Sequence, residues 1–182
     1  SNMDYVRSED IPNIELYMDQ VTSFMDEQLS SSKRYDKDKI LTKTMINNYA
    51  KNNLLPPPVK KKYSKEHVVV MIFIYYFKTI LSIKDIETIL TPITEKYFDT
   101  DSAVDVASIY EEVCDTAKSQ IQNLKDEVRE AYETSQNTFK DMEGLSDSDR
   151  EYLQLFSLIS SLSFDVYAKK ALIERIIDEL PE

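Results

Sequence analysis

Residues Leu41–Leu90 read LTKTMINNYAKNNLLPPPVKKKYSKEHVVVMIFIYYFKTILSIKDIETIL, a polar helix, a proline- and lysine-rich turn and a very apolar segment in that order. Thr42 is placed to cap a helix, since its hydroxyl can accept one of the unsatisfied N–H groups of a first turn. Met45, Ile46 and Tyr49 then fall on one inner side. The helix is expected to end at Asn52-Asn53, because asparagine tolerates the left-handed conformation of a helix stop. Pro56-Pro57-Pro58 forces an extended segment. Ser64 caps the next helix, with Glu66 in its first turn. The run VVVMIFIYYF (Val68 to Phe77) is β-branched and aromatic, and periodicity alone does not separate a buried strand from a buried helix. The apolar pattern continues to Leu81, too long for a typical strand, so a helix is expected. Ser82-Ile83-Lys84-Asp85 has capping-box spacing and opens a short helix to Leu90. Thr91-Pro92 is expected to end it and start another.

Working outward, Asp10-Ile11-Pro12 reads as a helix start. Ile14, Tyr17, Met18, Val21, Phe24, Met25 and Leu29 follow at spacings of three and four, one apolar face ending near Ser30. Residues 31–40 (SSKRYDKDKI) form a charged connector. Ser102-Ala103-Val104-Asp105 repeats the capping spacing ahead of the longest periodic segment. Its stripe of Tyr110, Val113, Ala117, Ile121, Leu124, Val128 and Ala131 predicts a helix running to about Phe139. Gly144 marks a break, and Ser146 introduces a final helical region to Leu180.

Composition narrows the function classes. The chain has 182 residues, one glycine and one cysteine. Gly144 alone excludes a phosphate-cradling loop or a dinucleotide fingerprint, which need several glycines for close backbone approach. Helices joined by short polar links need few, so an all-α fold is expected. Cys114 alone can form no intrachain disulfide, and a cytoplasmic location is expected. No signal peptide is read at the N-terminus, and the apolar run at Val68 to Phe77 is half the length of a membrane span. A catalytic pair would have to use His67 or Cys114, which lie in separate segments, and one of each is too few for structural zinc. No enzyme activity, cofactor or metal is expected.

Charge is distributed unevenly. Residues 33–65 hold ten Lys/Arg against Asp36 and Asp38, a net +8, while the whole chain is −11. A concentrated basic segment on an acidic protein points to a polyanion.

The segment 41–90 resembles the winged-helix DNA-binding domain of the MerR family, and the whole chain is similar to a bacterial family known only as domain of unknown function 1836. Tyr49 and Leu54-Leu55-Pro56 match the end of the recognition helix, Lys60-Lys61-Lys62-Tyr63-Ser64 the wing, and Ser82-Ile83-Lys84-Asp85-Ile86 the last helix of the unit. The chain departs from the pattern in having Asn47-Asn48 for an Arg-Tyr pair, Asn53 and Ile80 for glycines, and a shorter wing.

The resemblance implies a MerR-like winged helix-turn-helix unit over residues 10–91, followed by an acidic α-helical dimerisation or effector region over 92–182. It implies a transcriptional regulator whose recognition helix, about 43–53, enters the major groove of duplex DNA. Lys43, Asn47, Asn48 and Lys51 would face the groove; asparagine pairs well with adenine, and lysine reaches guanine or phosphate. Lys60, Lys61 and Lys62 would meet phosphates, which supply affinity without sequence choice. Tyr63 would either donate to a phosphate or anchor the wing on the core, and the anchor is favoured. A homodimer through the helix at about 103–140 is one use of the long stripe; intrachain core is the other. The alternative function is a non-catalytic protein-interaction module on the same scaffold, its lysines facing an acidic partner.

Overall fold

The computed structural model describes residues 5–181. After a single 3-10 turn at Ser8–Asp10 come β1 (Leu16–Tyr17), α1 (Met18–Gln28) and a second 3-10 turn at Ser30–Ser32. Then follow α2 (Lys43–Lys51), β2 (Lys62–Tyr63), α3 (Lys65–Phe77), α4 (Ile83–Tyr97), α5 (Val106–Gln136) and α6 (Asp147–Asp178). The protein is mainly helical, as its scarcity of glycine predicts. No helix among the described residues is long and apolar enough to cross a membrane.

Most helix starts are written in the sequence. Thr42 Oγ1 accepts the Met45 N–H at 3.2 Å. Ser82 Oγ accepts the Asp85 N–H at 3.1 Å, and Asp85 returns the bond to the Ser82 N–H at 3.2 Å. Ser146 Oγ likewise accepts from Asp149. Asn53 takes a φ of 58°, the left-handed stop expected of it. The Val68–Phe77 run is helical, and every residue from His67 to Ile74 is buried. Burying a large aliphatic side chain contributes roughly 1.5–3 kcal/mol, so α3 is the centre of the first compact unit.

Three expectations are corrected. The first helix begins at Met18, not after Pro12: Leu16 and Tyr17 instead pair antiparallel with Tyr63 and Lys62. The pairing buries Leu16, leaves Tyr17 outside as the N-cap residue of α1 and exposes Ile14. Helix α4 does not stop at Leu90 but runs through Pro92 to Tyr97. An interior proline costs about 3 kcal/mol, offset here because continuing the helix carries Phe98 onto the His67 ring, 4.7 Å away edge-to-face. The cap of α5 is Asp105 rather than Ser102: Asp105 Oδ1 accepts the Ser108 N–H at 2.7 Å, and Ser108 Oγ accepts the Asp105 N–H at 2.9 Å. The chain divides into compact units between Ala117 and Lys118, so the start of α5 belongs to the first of them. The reason is Glu66 on α3, whose two carboxylate oxygens accept from Asp99 N–H (2.6 Å) and Val106 N–H (3.2 Å) and hold the α4–α5 link to the first unit. Phe73 meets Tyr110 edge-to-face and Tyr110 donates to the Val6 carbonyl, so the start of α5 is part of that unit's core.

The second unit, Lys118–Glu182, is a helical hairpin. Gly144 takes a φ of 82° between its arms, a conformation that favours glycine. Gln154 Nε2 donates to the carbonyls of Gln136 (2.9 Å) and Thr138 (3.2 Å), and Arg150 donates to those of Phe139, Lys140 and Met142. Gln136 is the last residue of α5 and the other carbonyls lie in the turn after it, so these bonds fasten the connection to the start of α6. Further along, Lys169 lies 3.9 Å from Glu127, so the arms run antiparallel.

Candidate nucleic-acid interface

The local chemistry of β2 begins one residue pair before it. Val59 N–H donates to the Lys62 carbonyl at 3.1 Å and Lys62 N–H to the Val59 carbonyl at 2.9 Å, closing a two-residue loop. Its two central residues, Lys60 and Lys61, have φ of 49° and 65°. Positive φ at both positions defines a type I′ turn, the connection whose twist matches two paired strands and which favours Asn-Gly. For an L-residue with a long side chain each left-handed position costs about 1 kcal/mol. Both lysines are exposed, and neither has a carboxylate partner among the described residues.

Lys62 is different. It sits in the ladder opposite Tyr17, its ammonium lies 5.7 Å from the Tyr17 ring centroid, and its Nζ is 3.4 Å from Glu15. Lys43, at the start of α2, pairs with Asp19 in the first turn of α1. One short segment, residues 15–19, therefore touches both the start of α2 and the base of the lysine turn. This brings two of the expected lysines to the same end of α1 and also spends part of their charge.

Along α2, residues advance by about 100° each. Ile46 and Tyr49 are buried, while Lys43, Asn47, Asn48 and Lys51 are exposed and share the outward arc. Tyr63, by contrast, is only 2% exposed. Its ring meets His67 edge-to-face at 5.5 Å, and burial raises its phenol above the ordinary value. Tyr63 is an anchor of β2 on the core and is not presented to solvent.

His67, buried on α3, holds the proline segment. Its Nδ1 accepts the Ser64 N–H at 3.0 Å, which places the ring proton on Nε2, 3.2 Å from the Pro57 carbonyl it faces. Desolvation lowers its pKa, against the opposing pull of the Pro57 bond and Asp99. A sequence signal existed, since His67 stands three residues after a capping serine, but its long-range bond to Pro57 left no trace in the pattern. Beyond Pro57, a shallow groove of about 520 Å³ is lined by Leu55, Phe98, Glu87 and Glu95 among others; its carboxylates give it the wrong sign for phosphate.

The model of a family described as a domain of unknown function (DUF1836) matches residues 6–113, from just before the 3-10 turn at Ser8–Asp10 to the second turn of α5. The chain belongs to the DUF1836 family. The DUF1836 match covers β1, the lysine turn, His67 and Glu66, and ends close to where the first compact unit does. No curated protein and no solved structure matches the chain.

Proposed function

We propose that this protein is a cytoplasmic transcriptional regulator that binds duplex DNA through a MerR-like winged helix. Helix α2 enters the major groove with Asn47, Asn48 and Lys51, and the Lys60-Lys61 turn, as the wing, meets flanking phosphates. The observation that carries the reading is the turn itself. Two adjacent lysines occupy positions that favour Asn-Gly, at the tip of an exposed loop in a segment of net +8. Strained backbone kept at an exposed charged tip points to a contact made there. The order of elements (strand, two helices, paired strand with a two-residue turn, two more helices) supports the same reading. Pairing of two copies of the chain belongs to it as well.

The test is the salt dependence of affinity for duplex DNA, measured by fluorescence anisotropy on fragments selected from the source genome. Four to six phosphate contacts give a log–log slope of about −3.5 to −5.5. Lys60→Ala with Lys61→Ala should flatten it by about 2, one unit per contact. Lys62→Ala should flatten it less, because Glu15 already holds that ammonium. Absence of retention at low salt would end this reading. The alternative, a protein-interaction module, is favoured by the same internal pairing: with Lys43 and Lys62 facing Asp19 and Glu15, fewer cations remain for a polyanion.

A further inference from the structure

In the second unit, the outer side of α6 is left bare. The stretch Tyr152–Phe164, YLQLFSLISSLSF, contains no charged residue. Tyr152 is 69% exposed and Ile159 53%, with Leu155, Phe156 and Val166 exposed between and beyond them. Set on a helix, Tyr152, Leu155, Phe156, Ile159, Leu162 and Val166 form one stripe at offsets of −7, −4, −3, 0, +3 and +7 from Ile159. About Ile159 the apolar positions mirror at ±3 and ±7, while Leu155 at −4 stands against Ser163 at +4. The flanks of the stripe are not symmetric in charge: ten residues before Ile159 stands Asp149, and ten after it stands Lys169.

We propose that two copies of this chain pair antiparallel through this face, about a two-fold axis at Ile159. Ile159 then packs on its own mate, Phe156 on Leu162, and Tyr152 on Val166. Asp149 of each copy meets Lys169 of the other. Lys169 already holds Asp165 at 2.8 Å, and an ammonium has further protons to give. A parallel pairing would instead set acid beside acid and lysine beside lysine. An isologous contact needs a surface complementary to itself, which a neutral stripe with opposite charges at equal distances provides. Area agrees. Half-exposed Tyr and Phe side chains each offer roughly 100 Å², so the stripe offers about 500 Å² of apolar surface. A stable dimer buries about 800 Å² per partner, about two-thirds of it apolar. A lone monomer would expose a patch near the upper limit for soluble proteins.

The proposal gives the two-copy part of the regulator reading a seam on α6 in place of the expected α5, and it stands or falls without DNA. Sedimentation equilibrium of the full chain, with no DNA present, should give twice the chain mass at micromolar concentration. Ile159→Glu should raise the dimer dissociation constant at least about 100-fold, because it buries two like charges at the axis, with helical circular dichroism unchanged since the site is exposed. In a Cys114→Ser background, Ile159→Cys should self-link with a short bifunctional thiol reagent. Tyr152→Cys should link only to Val166→Cys. A monomer at 100 micromolar, a dimer that survives Ile159→Glu, or self-linking at position 152 would each overturn the proposal. The DNA salt slope, measured separately, reports on the regulator reading and not on this face.

Discussion

His67 makes two bonds that are compatible only with a neutral ring, one accepted at Nδ1 and one donated from Nε2. Protonation would set an Nδ1 proton against the Ser64 N–H and release the proline segment. Its folded pKa lies below 6.5, so the unfolded chain binds the proton more readily. The resulting stability is therefore complete above pH 6.5 and is lost as pH falls from there through the lower folded value. Urea midpoints at pH 7.5 and 5.5 should show this loss, and His67→Gln should show little difference between the two. An equal drop in the variant would place the titrating group elsewhere. The lysine turn makes the opposite kind of statement. Lys60→Asn with Lys61→Gly removes two left-handed L-residues and should raise stability by about 1–2 kcal/mol in urea unfolding. If the turn meets phosphate, the same double change should weaken duplex binding. A variant both less stable and tighter binding would contradict the account of the turn.

At the scale of elements, Glu66 joins three of them. Its two oxygens each accept a backbone N–H, one from Asp99 beyond α4 and one from Val106 at the start of α5. Glu66→Gln replaces one acceptor by a donor facing a donor, and should cost about 2 kcal/mol, read as a lower urea midpoint. A midpoint unchanged by the substitution would show that the link holds without it. Local chemistry of this scale was partly legible in the sequence. The caps at Thr42, Ser64, Ser82 and Ser146 and the stop at Asn53 follow from side chains acting on their own backbone within three residues. The strand at Leu16–Tyr17 was not legible, because two residues have no periodicity and their partners lie at Lys62–Tyr63. Nor was the passage of α4 through Pro92, which depends on Phe98 reaching a histidine on another helix. In the candidate site, the exposed residues of α2 and the lysine turn could be read from composition. The pairing of Lys43 with Asp19 and of Lys62 with Glu15 could not, since neither spacing is local.

For the whole molecule the decisive quantity is the separation of charge. Residues 33–65 carry +8, and the rest of the chain carries −19. A polyanion approaching in a random orientation meets a repelling field, screened beyond about 8 Å at physiological salt. Only an approach that seats the basic segment brings cations within that distance. Loose, sequence-independent binding draws on many orientations and registers, so it suffers most from the surrounding carboxylates. Specific binding uses one orientation and suffers least. If the regulator reading holds, the ratio of specific to random-sequence affinity should reach at least about 10³ at physiological salt, within the range of specific DNA-binding proteins. Competition titrations of a selected fragment against scrambled duplex would measure it. Adding salt weakens the repulsion as well as the attraction, so the random-sequence slope should be shallower than the phosphate contacts alone would give. Equal affinities for selected and scrambled duplex would remove sequence recognition by α2, and with it the role assigned to Asn47 and Asn48.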